Sequence, residues 1–86
     1  MGRNKDMWKE GTIGVPGDGG KYTAIHYWVK YYEKPSKTYG VEGGCISKLM
    51  LKQDGKIVYN YDRGLDIEPQ TKEAKQVLEV LMLEYN

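Results

Sequence analysis

The sequence has one cysteine, one histidine, no phenylalanine and a net charge of only +1, and each scarcity removes a class of protein. One cysteine cannot close an internal disulfide, and one cysteine with one histidine cannot supply the tetrahedral ligand set of a structural zinc site, so neither metal nor other cofactor is expected. The longest strongly apolar stretch, residues 77–83, is broken by Glu79 and falls far short of the roughly 20 residues that cross a bilayer. Nothing at the N-terminus has a signal peptide's apolar core, and the expected location is a reducing cytoplasm. The 13 basic and 12 acidic residues nearly cancel, which gives no global attraction to nucleic acid. The imbalance is local: residues 1–56 carry ten basic and six acidic groups (+4), residues 57–86 three and six (−3).

What is present fits one small α+β domain. A chain of 86 residues buries only roughly 60–65% of the surface its unfolded form exposes. Without a disulfide or metal it gains from a partner, so a homo-oligomer is expected. Residues 1–6 are polar and charged and read as a flexible arm, leaving 7–86 as the domain. Trp8 to Ile13 reads as a short first strand, and the four glycines and one proline of residues 14–20 as a hairpin loop. Tyr22–Tyr32 is the clearest strand, rich in Tyr, Thr, Ile, Trp and Val. Its period of two puts Thr23, Ile25, Tyr27, Val29 and Tyr31 on one face, with Tyr22, Ala24, His26, Trp28, Lys30 and Tyr32 on the other. Asp54-Gly55 is a two-residue type I′ turn signal joining Ile46–Gln53 to 56–61. A plain two-residue loop sets Leu51 opposite Val58, Met50 opposite Tyr59 and Lys48 opposite Tyr61. Residues 62–70 look irregular. Thr71 stands as an N-cap before apolar positions 74, 77, 78, 81, 82 and 85, one stripe of an amphipathic helix from which Leu83 points away. The expected architecture is an antiparallel sheet of about four strands with one C-terminal helix packed on one face.

Candidate sites come from two places. The face opposite the helix gathers Tyr22, Trp28, Tyr32, Tyr59, Tyr61, Lys48 and Lys52. That composition suits base stacking in a nucleic-acid module, and equally a thin core or a dimer contact in a chain without phenylalanine. Gly43-Gly44-Cys45-Ile46-Ser47-Lys48 holds the ingredients of a backbone nest for an anion, though without phosphate-loop spacing; the glycines also suit a bulge or a positive φ. Arg63, in Tyr61-Asp62-Arg63-Gly64-Leu65-Asp66, is positioned either to meet a phosphate or to pair with Asp62 and Asp66. Gly43, Gly44, Ser47, Lys48 and Arg63 are therefore candidate anion ligands, with Trp8, Trp28, Tyr59 and Tyr61 as stacking residues. No nucleophile motif surrounds any serine or the cysteine; His26 and Cys45 read as packing residues, Cys45 as a small buried one, and no enzymatic activity is expected.

Trp8-x-Glu10-Gly11, Gly43-Gly44-x-Ile46-Ser47-Lys48-Leu49 and Tyr61-Asp62-Arg63-Gly64-x-Asp66-x-x-Pro69 together resemble a small uncharacterised domain family carried by Firmicutes and their phages and mobile elements. The resemblance spans Trp8 to Tyr85. It implies no catalytic activity. It implies a setting in which small proteins act by binding, as accessory or counter-defence factors that occlude a host protein or sequester a phosphorylated nucleotide. The alternative is the nucleic-acid module on the aromatic and lysine face.

Overall fold

The structure, a computed structural model, describes residues 5–86. Its sheet is a meander of β1 (Asp6–Pro16), β2 (Tyr22–Tyr32), β3 (Ile46–Gln53), β4 (Lys56–Asp62) and β5 (Leu65–Ile67), each strand antiparallel to its sequence neighbours. The helix α1 (Lys72–Tyr85) lies over β1, β2 and β3 on one face. The α+β class and the C-terminal helix match the sequence expectation, but the strands number five rather than about four. The added strand is β5, inside the stretch expected to be irregular: Leu65 pairs with Tyr61 and Ile67 with Asn60. The first strand is longer than its composition suggested, because Gly14 and Pro16 stay in register with Ala24 and Tyr22. Of the expected arm, residues 1–4 lie outside the described residues, while the Lys5 carbonyl accepts from Glu33 N (2.9 Å) and Asp6 opens β1.

The helix forms where its cap signals place it. The Thr71 hydroxyl accepts from Ala74 N at 3.0 Å and donates to Gln53 Oε1 at 2.7 Å, fixing the first turn to the end of β3. Ala74, Val77 and Leu81 of α1 meet Ile25 and Val29 of β2 and Leu49 and Leu51 of β3, all within 1% of complete burial. Leu83 points away at 91% exposure. Gly11 sits opposite Tyr27, whose ring covers it so closely that a Cβ there would come within 2.8 Å of the phenol oxygen.

One register differs from expectation, with consequences for the site. Asp54 (φ 51) and Gly55 (φ 77) make the expected turn with positive φ at both central residues, and Gln53 pairs with Lys56. The register then shifts between Leu51 and Lys52: Lys52 pairs with Ile57, but Leu51 pairs with Tyr59, so Val58 is the extra residue of a bulge. Leu51 is thus opposite Tyr59 rather than Val58, Met50 opposite Asn60 rather than Tyr59, and Lys48 opposite Asp62 rather than Tyr61. A one-residue slip turns side chains to the other face. Tyr59 and Tyr61 therefore leave the open face and join the helix side, where Tyr59 is 3% exposed.

Candidate functional site

The sheet is wider than its cover. With α1 over the first three strands, the helix-side surface of β4 and β5 has no roof of its own, and a groove of about 680 Å³ runs there beside the helix. Tyr59, Tyr61, Leu65 and Pro69 supply one wall, Leu78, Met82 and Leu83 the other, and Val41 one end. Its charged liners are Glu42 and Glu79, both exposed and both acidic. Leu65 (60% exposed) and Leu83 (91%) stand at its rim. Burial, with Tyr61 and the Glu42 carboxylate nearby, pushes the Tyr59 phenol up to about 12. The Tyr61 hydroxyl donates to the Tyr39 carbonyl at 3.3 Å, tying the 33–45 loop to this side.

The five candidate anion ligands are not gathered into one corner. Ser47 is 1% exposed, and its hydroxyl donates inward to the Lys30 carbonyl at 3.3 Å. Lys48 lies on the open face with its ammonium 3.6 Å from Asp62. Arg63, held at φ 57, places its guanidinium 5.0 Å from the Tyr39 ring, while its N–H donates to Ser47 O. Gly43 has φ 75 in the Val41–Gly43 turn, where a positive φ explains the glycine. Gly44 makes room for something already present: a Cβ there would run into the Asn86 carboxamide. Asn86 Oδ1 accepts from Ile46 N at 2.9 Å and Nδ2 donates to Val41 O at 3.0 Å, so the glycine-bounded space holds a side chain of this same chain. Cys45 beside it is half-buried, not fully buried as its sequence setting suggested.

The four stacking candidates divide between two surfaces, Tyr59 and Tyr61 by the groove, Trp8 and Trp28 on the open face. There the Lys30 ammonium pairs with Asp6 at 2.9 Å and sits 5.6 Å from the Trp8 ring centre, and its hydrogen bond holds the Asp6 carboxyl below its usual range. His26 packs against Trp28 with the rings tilted by 59° and their centres 4.2 Å apart. Thr12 Oγ1 lies 3.0 Å from His26 Nδ1, and His26 Nε2 lies 2.7 Å from Glu10 Oε2. This is the connectivity of a hydroxyl, a base and an orienting carboxylate. It sits on a solvent-facing sheet, with 57% of the Glu10 side chain in water, and what it visibly does is lock β1 to β2.

Among the described residues, no group of three or more His, Cys, Asp or Glu side chains is placed to hold a metal ion, and no helix is long and apolar enough to cross a membrane. Sequence reasoning singled out Leu83, because it left the helical stripe, but missed the rest of the groove. Leu78 and Met82 read as ordinary core positions, and Tyr59 and Tyr61 were assigned to the other face. No curated protein and no solved structure matches the chain. Its relationship is to a family known by sequence: residues 7–86 match the model of a domain of unknown function, DUF7678, and the chain belongs to that family.

Proposed function

We propose that the chain is a non-enzymatic binding protein whose recognition surface is the groove between α1 and β4–β5, and that the occupant is an amphipathic helix of a partner protein bearing lysine or arginine beside its apolar stripe. The observation that carries this is the lining: largely apolar walls, two rim leucines in solvent, and two carboxylates, Glu42 and Glu79, as its charged groups. A volume of about 680 Å³ would suit a drug-sized ligand, since such pockets run to roughly 300–1,000 Å³. A small molecule inside would nevertheless leave the outer side of Leu83, 91% exposed, in water, whereas a helix laid along the groove covers it. The acidic rim and the −3 balance of residues 57–86 favour a cationic partner.

The setting implied by resemblance, a phage or mobile element acting in a bacterial cytoplasm, makes occlusion of a host defence protein the role that fits. Sequestration of a phosphorylated nucleotide has less support, because Ser47 turns inward and Lys48 and Arg63 stand on separate surfaces. The nucleic-acid alternative loses Tyr59 and Tyr61 from its face, and of its two lysines, Lys48 and Lys52, the first is engaged by Asp62. Selection of a random peptide library on the protein tests the proposal. Selected peptides should carry apolar residues at i, i+3 or i+4 and i+7 with an adjacent Lys or Arg, and Leu83→Asp should weaken them at least tenfold while Trp8→Ala leaves them unchanged. Acidic peptides, peptides indifferent to Leu83→Asp, or single-stranded nucleic acid bound with a steep salt dependence would overturn it.

A further inference from the structure

The two edges of the sheet are unequal. β5 is a three-residue strand, whereas β1 runs eleven residues without a register shift and has only Val15 buried. The hydrogen bonds flanking β1 fix which of its backbone groups are unused. Lys5 O accepts from Glu33 N, and Gly17 N donates to Lys21 O. Bonded pairs alternate along an antiparallel ladder, so odd-numbered residues of β1 direct their backbone toward β2. The N–H and C=O groups of Trp8, Glu10, Thr12 and Gly14 point outward. Pro16, which has no N–H to offer, shares that parity, as proline on an edge strand should.

We propose that this edge pairs with β1 of a second copy of the chain, antiparallel about a two-fold axis at Gly11, joining two five-stranded sheets into one. A two-fold axis normal to the sheet pairs residues symmetrically about its centre, and Gly11 is the midpoint of Asp6–Pro16, so this register overlaps the whole strand. Centring on Lys9 or Glu10 would set like charges on each other, which destabilises cross-strand pairs. Centring on Gly11 sets Lys9 by Ile13, Glu10 by Thr12 and Trp8 by Gly14 of the other copy. The indole then covers a bare glycine, as the Tyr27 ring covers Gly11 within the chain. Met7, 38% exposed, comes beside Val15 of the other copy. Both helices lie on one side of the joined sheet, and both grooves, at the far ends, stay open.

Amide exchange followed by NMR at several protein concentrations, with the mass of each sample measured by light scattering, tests the pairing. In dimeric samples the amides of Trp8, Glu10, Thr12 and Gly14 should exchange roughly tenfold or more slowly than in dilute monomeric ones, while odd-numbered β1 amides change little. Thr12→Pro removes an outward donor without touching the β1–β2 ladder and should give a monomer. Thr12→Ala, which likewise loses the hydroxyl beside His26, should stay dimeric. A monomeric mass at high micromolar concentration overturns the proposal, and so does a dimer whose outward β1 amides remain unprotected, which would place the contact on another surface. Neither result bears on peptide capture by the groove.

Discussion

Asn86 offers the sharpest test of how the loop after β2 is held. Replacing it with alanine removes the acceptor for Ile46 N, on a residue with no exposed surface, and the donor to Val41 O. An orphaned buried N–H costs about 1–3 kcal/mol, and a lost hydrogen bond whose carbonyl can find water costs roughly 0.5–1 kcal/mol. Asn86→Ala should therefore lower unfolding free energy by about 2–3 kcal/mol, which in a domain this small moves the midpoint of thermal unfolding down by roughly 10–20 °C. Gly44→Ala should cost about as much by another route. Its backbone (φ −93, ψ −154) accepts alanine, but the added methyl displaces the Asn86 carboxamide. Because both changes break one arrangement, the double variant should be little worse than either single, a coupling of about 2 kcal/mol in a double-mutant cycle followed by urea denaturation. Additive losses, or an Asn86→Ala variant within 0.5 kcal/mol of the wild type, as surface substitutions usually are, would refute the reasoning.

At the β3–β4 turn, Gly55→Val should cost about 1–2 kcal/mol because Gly55 sits at φ 77, whereas Asp54→Asn at φ 51 should be nearly silent, asparagine tolerating that region; equal midpoints in denaturant would contradict the turn geometry. Arg63→Gly should raise stability by about 0.5–1 kcal/mol, since φ is 57 there and Asp62 and Asp66 keep their bonds to Lys48 and Asn60; a loss on calorimetry would mean that the contact with Tyr39 outweighs the strain. Tyr59 titrates near 10 when unfolded and at about 12 in the fold. Its contribution is thus complete below pH 10 and disappears as pH rises toward 12. Solvent in the groove screens the charge, and the expected loss is about 1–2 kcal/mol; Tyr59→Phe should reduce the alkaline loss by that much in unfolding curves taken from pH 9 to 11.5, leaving the share of Tyr85, whose phenol is also pushed up to about 12 by burial.

Local signals carried most of the fold. The hydroxyl of Thr71, the stripe from Ala74 to Tyr85, the alternation of Tyr22–Tyr32 and the Asp54-Gly55 pair each act within a few residues, and each is found where its chemistry puts it. The bulge at Val58 has no such signature. It reflects what the helix side gains by burying Tyr59 beside Leu51, a packing balance between segments distant in sequence. That single extra residue moved two tyrosines from an imagined stacking surface to a groove wall. β5 was hidden because three residues between Gly64 and Pro69 are too few to display a period. The glycines at 43 and 44 were legible as a place needing room. What fills the room at Gly44 is Asn86, 42 positions along the chain, and proximity of that kind is visible only after folding.

The nearest-neighbour order of the strands bears on how the chain comes to be folded during synthesis. Every strand pairs with the one made just before it, so hairpins can zip in the order in which they leave the ribosome, with no strand waiting for a distant mate. The exception is the helix, made after all five strands, on which burial of Ile25, Val29, Leu49 and Leu51 depends. Until α1 has emerged, the growing sheet shows water an uncovered apolar face, a species prone to aggregation. A chain stalled or cut before Thr71 should therefore hold its β-ladder only loosely and be cleared by proteases, so that arrival of the helix decides whether the sheet survives.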